Sequence, residues 1–310
     1  MEHSLFTSIL FATVVAGTPL VLTALGELVT ERSGVLNLGA EGVMAVGAIS
    51  AFAATCASGS PWVGVLAGMA AGMMMSFLFA VLTLTLMADQ SAAGLSLSIF
   101  GVGLSAFIGK PYESVALPSV HALRIPVLAD LPYIGPALFH QQALVYFSWI
   151  MLGLVAWFLY RTKPGLALRA VGESPVSAHD IGHPVIRIRY LATLFGGAMA
   201  GAGGAFLSVF YTPMWVEGMV AGRGWIALAL VVFATWRPLR VLIGAYLFGG
   251  AMISQMFVQG SGLKLPIPAQ FLSSLPYAAT IVVLVLISRN LKTIRINSPA
   301  ALGKPFLPDA

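Results

Sequence analysis

The chain has 310 residues, 58% of them hydrophobic and 9% charged, with 16 Lys and Arg against 11 Asp and Glu. Soluble domains carry about 25% charged residues, so this composition, with a mean hydropathy of +0.92, excludes a water-soluble globular protein and indicates an integral membrane protein. A single cysteine, Cys56, excludes an internal disulfide and a cysteine-rich metal site; the net charge of +5 comes without a basic patch interleaved with aromatics, so no nucleic-acid partner is expected.

Stretches free of Asp, Glu, Lys and Arg delimit the expected spans: 3–26, 42–88, 90–109, 131–160, 190–216, 224–236, 241–263 and 265–288. About twenty residues cross the hydrocarbon core as a helix. The N-terminus lacks a basic n-region, so the run after Ser4 reads as a retained span. The 42–88 run is long enough for two helices, divided at Gly59-Ser60-Pro61, with the first beginning near Val35. The 224–236 run is short and borrows from the polar side that holds Glu217 and Arg223. The expected fold is all-α and polytopic, a single membrane domain over 1–310 with about nine transmembrane helices, eight to ten being allowed.

In chain order, the first polar set is Glu27, Glu31, Arg32, Asn37 and Glu41, among Gly34, Gly39 and Gly42. Ionisable groups beside apolar segments are candidates for function. Two readings stand: a helix interrupted to turn backbone groups toward a cavity, or a turn with local ion pairing. A second set runs from Asp89-Gln90 through Ser96 and Ser98; its hydroxyls either line a polar path or bond their own helix backbone. Gly64, Gly68 and Gly72, and later Gly196, Gly197, Gly201, Gly203 and Gly204, provide small faces for close helix approach.

The island Arg161–Arg189 is cationic and is expected to face water. Within it Ser174 is a helix N-cap, Pro175 suits the first helical position, and Gly182 before His183-Pro184 supplies a stop. About two turns, Pro175–Ile181, are too short to stand alone in water, so the segment is expected to pack against a separate protein. His179 and His183 are four apart, but Gly182 and Pro184 break the helix between them and no third metal ligand is near. Farther on, Glu217, Arg223 and Trp225 stand at the mouth of the short span, as a gate or substrate contact or as an interfacial anchor. The tail, 290–310, is polar and proline-bearing and is expected to be disordered.

Placing 161–189 in the cytoplasm puts twelve of the sixteen basic residues on that side and leaves Lys110, Arg124, Arg223 and Lys264 outside. The N-terminus is then outside and the C-terminus cytoplasmic. No phosphate loop, zinc-protease motif or nucleophile elbow is present, so neither an enzyme nor a cofactor is expected.

Four stretches together, 25–48, 94–109, 164–192 and 221–238, with a late one at 275–289, resemble the permease subunits of ATP-binding-cassette (ABC) importers for nucleosides and simple sugars. These sit within the broader ribose and branched-chain amino acid permease group. The resemblance implies an ABC-importer permease bundle in a bacterial inner membrane, a coupling helix over Arg169–Ile181 and polar path residues inside. On that footing Arg169, Gly172, Glu173, Pro175, Ala178, Ile181 and Gly182 couple to the ATPase, and Asn37, Glu41, Gln90, Arg223 and Trp225 line the substrate path. It also implies ATP-binding subunits, a second and similar but different permease chain and an external substrate-binding protein, with membrane lipid around the bundle. An ion-driven carrier or channel is the rival reading; it needs acidic residues within spans, and 42–88 and 131–160 contain none.

Overall fold

A computed structural model describes residues 2–124 and 134–260, residues 297–307, and the isolated positions 126, 274 and 278. Apart from those two later positions, the expected span 265–288 lies outside the described residues. So do the rest of the 275–289 stretch, Lys264, Arg289, Lys292, Arg295, and residues 290–296 and 308–310 of the tail.

Among the described residues, the charge-free runs are largely helical, and the charged island adds two short helices. The helices are α1 (Glu2–Arg32), α2 (Ala40–Ser58), α3 (Pro61–Ala80), α4 (Gln90–Gly109), a short α5 (Ile134–Leu138), α6 (Ala143–Arg161), and α7 (Lys163–Glu173). After these come α8 (Pro175–Asp180), α9 (Val185–Ala205), α10 (Arg223–Phe233) and α11 (Pro238–Gly260). Single π-helical turns, Val81–Thr85 and Phe206–Tyr211, extend α3 and α9. Asp89 caps α4, its carboxylate accepting the N–H of Ala92 at 2.8 Å. Outside the helices, a two-residue antiparallel pair joins β1 (Leu123–Arg124) to β2 (His140–Gln141).

Among the described residues seven helices are long and apolar enough to cross a membrane. Helix α10 is not. Its eleven residues rise about 16 Å, roughly half of the ~30 Å hydrocarbon layer. The protein is therefore a polytopic helical bundle, as expected, and the count of about nine is approximate.

Helix α9 is the axis. It packs against α1, α2 and α3 and is buried nearly throughout. Backbones meet there because glycine removes the side chain between them: a Cβ on Gly47 would stand 2.6 Å from Gly201 Cα, and one on Gly72 would stand 2.9 Å from the same atom. Lipid tails are as apolar as the helices, so this close packing stands in for the hydrophobic drive available in water.

Three expectations need correction. Helix α2 begins at Ala40, not near Val35, because residues 33–39 are unwound and their polar groups are held by other elements. The tail is not disordered where it is described: Ala301 donates its N–H to Gly172 O at 2.9 Å, Gly303 donates to Gly34 O at 3.1 Å, and Phe306 is buried beside Val171, Ala178 and Val185. Arg189 does not face water. It is 1% exposed, and its guanidinium donates to Ser33 O at 3.2 Å and Lys304 O at 3.1 Å.

Candidate functional site

Two regions collect the residues singled out from the sequence. The first is α7–α8. Thr162 caps α7 by accepting the N–H of Gly165 at 3.1 Å. Ser174 then caps α8, accepting the N–H of Ser177 at 3.3 Å with Pro175 at the first position. Gly182 ends it with φ +89° and its N–H on His179 O at 2.8 Å, a left-handed conformation that glycine adopts without penalty. The punctuation read from the sequence is the punctuation in the fold.

Burial divides this segment into an inner and an outer face. Ala178 is 2% exposed and packs inward with Val171, Val185 and Phe306. Gly172 is buried against the backbone of Arg32, where a side chain would strike the carbonyl oxygen. Glu173 accepts the N–H of Ala300 at 3.4 Å, and Arg169 lies over the Tyr160 ring at 5.5 Å. Facing outward are Ile181, 72% exposed, and Val176, 61% exposed. Val176 was not among the sequence candidates; its place one residue after the capped Pro175 is the signal that could have found it. His179 sets its ring edge against Phe306 at 5.7 Å, and no metal-ligating cluster exists among the described residues.

The second region is the junction of two interrupted segments. Residues 33–39 lead into α2, and residues 212–222 lead into half-length α10. They meet level with the middle of α4: a Cβ on Gly42 would lie 2.7 Å from Ser98 Cα. Unwound backbone at such depth must find partners within the protein. Leu36 N–H donates to Gln90 Oε1 at 2.8 Å, Gly39 N–H to Asn37 Oδ1 at 2.9 Å, and Ser98 Oγ to Leu38 O at 2.9 Å. Glu41 accepts from Gly222 N and Gly224 N, both at 2.8 Å. Its carboxylate thus caps the start of α10, where unpaired N–H groups and the helix dipole favour negative charge. Gly222 makes room for the entry with φ +81°.

The structure brings Asn37, Glu41 and Gln90 together, and their oxygens are taken up by backbone. Gln90 Nε2 is buried without a partner among the described residues. Arg223, beside the cap, donates to Met219 O at 2.9 Å and Val220 O at 3.1 Å. It borders a cavity of about 200 Å³ with Leu207, Tyr211, Thr212 and Met214. Trp225 does not line that cavity and is 38% exposed. The sequence reading missed Trp236, which donates its indole N–H to Glu31 Oε2 at 2.6 Å and accepts from Arg32 at 3.0 Å. This ties the end of α10 to the end of α1 in place of the local ion pairing considered for Glu31 and Arg32.

A bundle of apolar helices, with unwound segments meeting level with the middle of one of them and a capped amphipathic excursion at one end, is a polytopic membrane protein. The chain belongs to the family described as branched-chain amino acid transport system / permease component, which it matches over residues 9–287. It is 40% identical to the putative glucose ABC transporter permease protein TsgC13 of Haloferax volcanii, over 98% of each chain. It is 33% identical to the guanosine ABC transporter permease protein NupQ of Bacillus subtilis, over 96% of this chain and 95% of that one. To the nucleoside ABC transporter permease protein NupC of Lactococcus lactis it is also 33% identical, over 88% and 90%.

Proposed function

We propose that the chain is the membrane-spanning subunit of an ABC importer, passing a nucleoside or a related simple sugar across a bacterial inner membrane by alternating access. The observation that carries this reading is the two-faced helix α8. Ala178 fixes it to the permease from within, and Val176 and Ile181 are presented outward for another protein to hold. Residues 161–189 then form a cytoplasmic coupling loop, with Arg169, Gly172, Glu173, Pro175, Ala178, Ile181 and Gly182 shaping it. The N-terminus lies outside and the C-terminus inside. ATP-binding subunits push on α8, and its tethers through α7 and α9 tilt the spans.

A second, similar permease chain completes the path, and an external binding protein delivers the ligand. The guanosine and nucleoside names of two relatives support a nucleoside; the glucose name of the 40%-identical relative supports a sugar as the next candidate. Either is neutral and asks only for hydrogen bonds and apolar faces. Gln90 Nε2 and the cavity beside Arg223 are the places where such groups would be met. The test is uptake of radiolabelled nucleosides into vesicles reconstituted with and without the ATP-binding subunits. ATP-dependent uptake only in their presence is expected, and full uptake without them overturns the reading.

A further inference from the structure

A cleft of about 750 Å³ opens where the ends of α1, α6 and α7 face the α10–α11 turn, and it is lined by Arg32, Tyr160, Arg169, Arg237 and Arg240 with Glu173. Four guanidinium groups thus face one carboxylate. Among the described residues the one ion pair within 4.0 Å is Lys110–Glu113, which lies elsewhere in the molecule. Arg32 is 8% exposed; two of its nitrogens donate to Asn297 O and Trp236 O, and its Nε has no partner among the described residues. Arg169 Nε is likewise buried and unpaired. A buried cation such as Arg32 is costly without a close counter-charge; Arg169 is half-buried and Arg237 and Arg240 are exposed at the mouth of the cleft, and the planar fork of arginine matches phosphate oxygens two at a time.

The surface beyond the cleft indicates what carries the phosphate. On α6 the row Tyr160, Ala156, Gly153 and Trp149 runs away from the cleft, spaced so as to share one helix face. At Gly153, which is exposed, a side chain would meet nothing within 4 Å among the described residues, so the row has open space at its centre. On α11, which packs against α6, Leu239 lines the cleft, and the exposed Ile243 and Leu247 continue its face along the helix. A hydrogen bond between Trp149 Nε1 and the Tyr246 hydroxyl closes the far end. From Tyr160 to Trp149 the row runs about 16 Å, the order of an acyl chain. Tyr160 and the exposed Trp157 lie at the cleft end, where aromatic side chains mark a membrane–water boundary.

We propose that this cleft binds the phosphodiester headgroup of an anionic phospholipid, with one acyl chain lying in the α6–α11 furrow. Basic pockets between transmembrane helices are suited to such headgroups. The lipid lies in the same leaflet as α7–α8 and joins Arg32, Arg169, Arg237 and Arg240 through one anion. It therefore fastens the coupling segment to three spans. This site does not depend on which solute is carried or on what drives transport.

The test measures thermal unfolding of the purified full chain in neutral detergent. The additives are phosphatidylglycerol, phosphatidylcholine or inorganic phosphate. Phosphatidylglycerol is expected to bind about tenfold more tightly than phosphatidylcholine and to raise the unfolding midpoint, while inorganic phosphate leaves it unchanged. Arg237→Gln combined with Arg240→Gln removes the preference through charge. Gly153→Leu, which fills open space and keeps every charge, removes it through the furrow. Equal effects of the two lipids overturn the proposal. So does an equal effect of inorganic phosphate, which would leave only a free-anion site, and so does an unaltered lipid preference in Gly153→Leu.

Discussion

Gly224 donates its backbone N–H to Glu41 Oε2 at 2.8 Å, although 183 positions separate the two residues. The other carboxylate oxygen takes Gly222 N–H at the same distance. One side chain from the first turn of α2 therefore holds the start of half-length α10. Replacing it strands two amides at a depth where water is scarce. Glu41→Ala is expected to cost roughly 2–4 kcal/mol, from charge-assisted hydrogen bonds and a lost cap. Glu41→Gln costs nearly as much, because only one amide oxygen remains to accept. Thermal unfolding of the purified variants checks both.

The glycine contacts around α9 give a paired prediction. Gly72→Ala drives a methyl to within 2.9 Å of Gly201 Cα and into the carbonyl of Gly197. Neither neighbour can swing aside, so a loss of about 1–3 kcal/mol is expected. Gly103→Ala meets nothing within 4 Å and leaves the midpoint unchanged or slightly raised, since alanine is the better helix former. Yield and unfolding midpoint in the same detergent separate the two.

On α8 and at its C-cap, Ile181, two substitutions are expected to fail by different routes. Ile181→Asp changes an outward side chain, so the permease inserts and unfolds normally while copurification with ATP-binding subunits is lost. Ala178→Arg forces a long cation into the space shared with Val171, Val185 and Phe306. It therefore also lowers the unfolding midpoint. Both variants are read by copurification and thermal unfolding together.

The tail supplies a fourth prediction. Phe306 covers Ala178 and touches His179, so Phe306→Ala is expected to loosen α8 locally without unfolding the bundle. Removal of a buried phenylalanine costs up to about 3–5 kcal/mol. That is enough to release a short strap whose remaining hold is a few hydrogen bonds. Hydrogen exchange at residues 175–183 should quicken at least several-fold, while α9 amides stay protected.

Much of this architecture was legible in the sequence because its causes are local. Charge-free runs marked the long helices, and Ser174, Pro175 and Gly182 fixed the ends of α8 within a residue. What was hidden depends on partners far along the chain. Arg189 reads as a solvated cation until the carbonyls of Ser33 and Lys304 are seen beside it. Residues 297–307 read as a loose tail because Pro299, Gly303 and Pro305 interrupt any helical or strand period; they are held largely through backbone, to Gly172, Gly34 and Arg189. Asn37, Glu41 and Gln90 were singled out as polar groups beside apolar segments, and the structure buries all three. That their oxygens hold broken backbone could not be inferred without knowing which amides the fold brings to them.

The central claim is that α8 faces the cytoplasm and is worked by another protein, and the sidedness of Ile181 tests it most directly. With Cys56→Ser removing the one native thiol, Ile181→Cys can be probed with a membrane-impermeant maleimide. The expected result is no labelling in intact cells, labelling in inverted membrane vesicles, and protection there when the ATP-binding subunits are bound. Labelling from outside intact cells would contradict the account.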